Sequence, residues 1–130
     1  MLRVHSALTG ELDAELQAEH GLPLSSYEVL LFLASSPDGA MRMSQLAEGV
    51  LLSRSGLTRL VDRLERAGLV ERQECEEDAR GLLAVITAKG RELFAEARGT
   101  HLAGVRRLFL DRFSEDEQRA LGGLFDRLLS

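Results

Sequence analysis

The sequence predicts a mainly α fold carrying one small β-hairpin, an α+β arrangement within a single domain. Three observations lead there. Apolar residues recur at the three- and four-residue spacing of helices along most of the 130 residues. Residues 69–73 (LVERQ) and 82–86 (LLAVI) break that rhythm as two short strand-like runs joined by a loop containing Arg80 and Gly81. Just before them, two helical segments are joined by a turn too tight for anything but direct contact between the two.

Each element has its own local reason. Leu8, Leu12 and Leu16 recur every four residues and predict a first helix ending near His20 and Gly21. Ser25 with Glu28 has capping-box spacing and opens a second helix through Tyr27, Val29, Leu30, Leu31, Phe32 and Leu33. Ser36, Pro37, Asp38 and Gly39 end it, since proline cannot continue the hydrogen-bond ladder. Ser44 is the expected cap of a short helix around 45–49. A turn through 50–52 leads to Ser53, the cap of a helix over 54–67 that Gly68 stops. After the hairpin, Thr87 caps a long helix reaching about Phe113, interrupted by Gly90, Gly99 and Gly104. Ser114 with Glu117 is a second capping box, and its helix carries Leu121, Leu124, Phe125 and Leu128 on one stripe.

Composition narrows the function classes. Hydrophobic residues make up 45% of the chain, which is ordinary for a folded protein. The longest apolar runs, such as residues 29–34, are too short to span a bilayer, so no membrane partner is expected. The first twenty residues alternate apolar and charged side chains without a continuous signal core, so the cytoplasm is the expected address. The lone Cys75 cannot close an internal disulfide, and Glu74, Glu76 and Glu77 beside it oppose a reactive thiolate. The chain has no G-x-S-x-G, H-E-x-x-H, C-x-x-C or glycine-rich phosphate loop. His5, His20 and His101 are far apart in sequence and read as scattered residues. An enzyme, a cofactor and a metal site are therefore not expected.

The net charge of −5 is unevenly spread. Residues 1–52 hold 2 arginines against 7 acids, whereas residues 53–90 and 91–130 each hold 7 bases against 7 acids. Any basic surface must then come from how charges sort onto faces. On the helix over 54–67, Leu57, Leu60, Val61 and Leu64 fall in one apolar sector. Ser55, Arg59, Asp62 and Arg66 project opposite, flanked by Thr58 and Arg63. Arg59 and Arg63 have the fork that pairs with guanine, and Ser55 and Thr58 can bond phosphate or a base edge. Asp62 either accepts from cytosine or orients Arg59 or Arg66 through an i±3 or i±4 pair; the orienting role is the expected one. A solvated surface helix has the same amphipathic pattern, but the preceding capped helix and tight turn, and the hairpin that follows at once, favour a helix that reads DNA.

Here a family resemblance enters. Asp78-Ala79-Arg80-Gly81, followed by Ile86-Thr87-Ala88-Lys89-Gly90, resembles the D-x-R-G…L-T-x-x-G wing signature of MarR-type transcriptional regulators. The preceding LAEGVLLSRSGLTRLVDRLERAGLVER is similar to that family's helix-turn-helix, and the likeness extends through GLPLSSYEVLLFL. It implies a winged helix-turn-helix plus a helical dimerisation region, with 23–87 as the DNA-binding lobe and 1–22 and 88–130 as the dimerisation region. It also implies a homodimer on a pseudo-palindromic double-stranded DNA operator, acting as a repressor released by a small-molecule effector or an oxidant. By position, Arg80 matches the wing arginine of the minor groove and Asp78 the acid that fixes the wing. Ser53, Arg54, Ser55, Thr58, Arg59 and Arg63 fall where members meet the major groove and its phosphates. Leu8, Leu12, Leu121, Leu124 and Leu128 are the expected dimer contacts. An effector pocket is expected where the first, second and fifth helices meet, with His20, Tyr27 and Phe32 as candidate lining; core packing explains the aromatics as well. Two departures stand out: the first helix starts close to Met1, which shortens the expected dimer-clasping extension, and Cys75 lies on the wing rather than near the first helix. The alternative is a winged-helix module that binds protein instead of DNA, though such modules tend to lose outward arginines like Arg59, Arg63 and Arg66.

Overall fold

Leu16, Leu30, Leu33, Leu46, Leu57 and Leu60 are fully buried, so four successive helices contribute to one apolar centre. The computed structural model describes residues 2–74 and 81–129. Its elements are α1 (Leu2–His20), α2 (Leu24–Ala34), β1 (Ala40–Arg42), α3 (Met43–Val50), α4 (Arg54–Arg66), β2 (Val70–Glu74), β3 (Leu82–Ile86), α5 (Ala88–Leu108) and α6 (Glu115–Leu129). The mainly α fold with a small β-hairpin is thus the observed one.

The sheet has one strand more than expected. β1 pairs antiparallel with β3, placing Met41 opposite Ala84, and β2 pairs with the other edge of β3 from Val70–Ile86 to Glu74–Leu82. The order is β1-β3-β2, with Ala84 buried in the central strand. Three residues are too few to show a strand period, so Ala-Met-Arg carries no signal of its own.

Two expected caps are replaced. Ser25 lies inside α2, whose cap is Pro23. The free amide of Leu24 instead donates to Asp13 Oδ1 of α1 at 2.8 Å. A carboxylate from a packed neighbour thus takes the orphan donor that a local serine was expected to satisfy. Ser44 likewise sits within α3, whose cap residue is Arg42. The other caps form as expected. Ser53 Oγ accepts from Gly56 N–H, and Thr87 Oγ1 from Gly90 N–H. Ser114 and Glu117 bond each other reciprocally, which holds the Glu117 carboxyl below its usual range.

α5 ends at Leu108 rather than Phe113. Phe109 leaves helical geometry, a 3-10 turn spans Leu110–Arg112, and the Phe109 and Phe113 rings meet at 5.2 Å. Gln118 of α6 donates to the Leu110 and Phe113 carbonyls at 2.8 and 3.1 Å, fastening α6 to that turn. α1 packs along α5: Leu12 lies against Gly104, Arg107 pairs with Glu15, and His20 shares a 2.7 Å hydrogen bond with Thr100. α6 buries none of its described residues. No described helix is long and apolar enough to cross a membrane.

Candidate nucleic-acid interface

The site is built on α4. Its apolar stripe, Leu57, Leu60, Val61 and Leu64, is buried as the periodicity requires, which fixes the opposite face outward. Ser53, Arg54, Ser55, Thr58, Arg59 and Arg63 are exposed. Ser53 and Ser55 hydroxyls stand 3.2 Å apart at the helix entrance, and Thr58 Oγ1 donates to the Arg54 carbonyl at 2.8 Å. A helix entrance with exposed hydroxyls and amides is suited to an anion such as phosphate. Among the described residues, none of Arg54, Arg59, Arg63 and Arg66 is held in an ion pair.

Asp62 departs from its expected partner. It pairs with Arg72 of β2, Oδ1 to Nη1 at 2.7 Å, rather than with Arg59 or Arg66. The reason is tertiary: β2 returns beside α4 and brings the Arg72 guanidinium to 2.7 Å from the carboxylate. The same Arg72 meets Glu65 Oε1 at 3.1 Å and donates to the Thr58 carbonyl at 3.0 Å, and its backbone N–H donates to Glu65 Oε2 at 3.1 Å. Two acids of the reading helix are thereby occupied within the fold. Nothing in the local spacing of α4 signals this, because the partner lies across a turn and a strand.

Between the first turn of α3, α4 and the start of β3 lies a cleft of about 330 Å³, lined among others by Arg42, Ser44, Arg54, Thr58 and Arg72. Arg42 and Ser44 are functional candidates that the sequence reading missed. Ser44 reads in the sequence as a helix cap, and only the turn of α3 toward α4 brings it to this surface. The wing strands frame the other side, whereas the expected wing residues Asp78 and Arg80, with Cys75, lie outside the described residues.

The candidate effector residues are only partly brought together. His20 and Tyr27 both face α5. Tyr27 is buried and packs its ring 5.4 Å from Phe94 and 4.6 Å from His101. Burial raises the Tyr27 hydroxyl pKa, with Arg98 opposing, and lowers that of His101. Phe32 lies elsewhere, its ring against Gly49 of α3. Of the expected dimer residues, Leu8 and Leu12 are half-buried against the body of the chain. Leu121 is half-buried, and Leu124 and Leu128 are 53% and 72% exposed. Among the described residues no group of three His, Cys, Asp or Glu converges as a metal site.

Comparison with known proteins places this geometry. A family model described as MarR family matches residues 20–81. The chain is 30% identical over 118 residues to the HTH-type transcriptional regulator YfiV of Bacillus subtilis, covering 89% of this chain and 69% of the relative. It superposes with a TM-score of 0.94 on AbsC, a MarR family transcriptional regulator of Streptomyces coelicolor, at 38% identity over 98% of this chain and 86% of that one. It does so equally, at 0.94 and 34% identity over 98% and 80%, on Sco3205 of the same organism, a MarR family regulator solved in complex with DNA.

Proposed function

The chain belongs to the MarR family of transcriptional regulators, and we propose that it acts as a sequence-specific DNA-binding regulator of the repressor type, working as a homodimer on a pseudo-palindromic operator. One observation carries the reading: α4 turns Arg54, Arg59, Arg63 and Arg66 outward without an ionic partner among the described residues, while the nearby acids Asp62 and Glu65 are held by Arg72. Four outward guanidinia with no acid partner among the described residues suit a phosphate-rich groove and serve no purpose in the core. Arg59 and Arg63 read base edges, while Ser53, Arg54, Ser55 and Thr58 seat the helix entrance on phosphate. Arg80 enters the adjacent minor groove, with Asp78 steadying the wing.

The α6 stripe, joined by Leu8 and Leu12 of α1, forms the two-fold interface that sets two reading helices about 34–36 Å apart. The dimerisation region comprises 1–22 and 88–130, and 23–87 is the DNA-binding lobe. A small effector acting near His20 and Tyr27 shifts that spacing only as far as it prefers one dimer geometry. Selection of bound fragments from genomic DNA tests the reading. A recovered operator whose affinity falls steeply with salt is the expected result. A flat salt response, or no enriched fragment, would replace it with a protein-binding winged helix.

A further inference from the structure

We infer that Arg72 is a positioning residue for DNA recognition, locking strand β2, and with it the wing, onto the reading helix; this rests on the DNA-binding reading above. Its guanidinium meets Asp62 Oδ1 at 2.7 Å, Glu65 Oε1 at 3.1 Å and the Thr58 carbonyl at 3.0 Å, while its own amide holds Glu65 Oε2 at 3.1 Å. Thr58, Asp62 and Glu65 follow one another at i, i+4 and i+7, so the three acceptors form a row along a single face of α4. One planar fork spans the row, and the side chain is only 20% exposed. A lysine has three donors but on a single nitrogen, so it lacks the planar two-nitrogen spread with which Nη1 and Nη2 bridge this row.

The placement gives the contact a direction. Arg72 pairs with Ala84 of the central strand, and Ala84 is buried. The guanidinium therefore links the edge strand β2, which the central strand backs, to the polar side of α4, away from the Leu57, Leu60, Val61 and Leu64 stripe that holds the helix down. Core packing fixes where α4 sits, and the Arg72 fork fixes how the hairpin is aimed relative to it. Thr58 belongs to both arrangements, since its carbonyl accepts from Arg72 while its side chain lies on the candidate DNA face.

The test is a double-mutant cycle on the operator recovered by selection, combining Arg72→Gln with Arg80→Ala. Each change alone is expected to weaken binding by about tenfold, and Arg80→Ala is expected to cost less than about twofold further once Arg72 is gone, because a misaimed wing has no contact left to lose. Losses that multiply to about a hundredfold would overturn the inference, as independent sites behave that way. So would wild-type affinity in either single variant. Arg72→Lys separates aim from charge, and also serves if Arg72→Gln fails to fold: it is expected to bind as weakly as Arg72→Gln, whereas recovery to wild-type affinity would show that charge alone matters and overturn the proposal. Failure of the unmodified protein to bind any DNA is a different result and removes the DNA reading itself.

Discussion

His101 of α5 sets its ring 4.6 Å from that of Tyr27 of α2, tilted by 43°, and its buried Nδ1 has no hydrogen-bond partner among the described residues. Burial lowers the His101 pKa, so the folded chain takes up this proton less readily than the unfolded one. Stability from this source is complete above the ordinary histidine value and is lost as pH falls through that value toward the lower folded one. Thermal unfolding followed across pH 7.5 to 5 should show a falling midpoint. In His101→Phe, which keeps a ring beside Tyr27, the fall should be smaller. Glu28 does not imitate the effect: burial raises its pKa, so its contribution weakens as pH rises. Equal slopes in the two proteins would assign the pH dependence to other groups.

The amino terminus of α2 offers a test of long-range capping. Asp13→Ala removes the acceptor of the Leu24 amide and should cost about 1 kcal/mol in chemical denaturation. Ser25→Ala, at the position where local spacing places a cap, should change stability by less than about 0.5 kcal/mol. The reverse ranking would restore the local capping box.

Leu51 closes α3 with φ 58° while its side chain is 90% exposed, so it bears a left-handed backbone and gains no burial. Leu51→Gly should therefore raise stability by about 1 kcal/mol, visible as a higher denaturation midpoint.

Gly90 marks the opposite case. A Cβ there would stand 2.3 Å from the Leu69 carbonyl oxygen, where α5 passes the start of the wing. Gly90→Ala should lose roughly 1–3 kcal/mol, measured against Gly99→Ala in the same helix, where a Cβ meets nothing within 4 Å.

The exposed α6 stripe predicts assembly. Sedimentation should give twice the 14.3 kDa chain mass for the unmodified protein. The pair Leu124→Asp and Leu128→Asp should give single chains with much weaker operator binding, since two tethered heads bind far better than one. A dimer that survives both changes would move the interface elsewhere.

How much of this is legible in the sequence follows from the range of the interactions. The buried stripe of α4, the stops at Gly21 and Gly68 and the caps at Ser53, Thr87 and Ser114 depend on residues within a few positions, and their patterns are visible directly. β1 is hidden because its pairing with β3 crosses some forty residues. Asp13 displaces Ser25 as a cap, and Arg72 displaces Arg59 and Arg66 as partner of Asp62, for the same reason. In each case a neighbour supplied by folding outcompetes the one supplied by spacing. The exposed arginines of α4 are legible as residues, but the absence of acid partners for them among the described residues is not, because Asp62 and Glu65 are taken by Arg72 of β2.

Thr87 Oγ1 donates to the Gly68 carbonyl at 2.6 Å and Lys89 Nζ to the Ala67 carbonyl at 2.8 Å, so the chain's single lysine helps hook the end of α4 to the beginning of α5. Because its apolar stripe is buried, α4 could tilt only together with the elements it packs on, and these hooks would put the pivot of that tilt at its carboxyl end. Its 13 residues give an arm of about 20 Å, so a tilt of about 10° at the pivot swings the Ser53 end through more than about 3 Å. That exceeds the length of a hydrogen bond. A rotation of α5 that carried α4 and its packing partners through such a tilt would lift the helix entrance clear of whatever it holds.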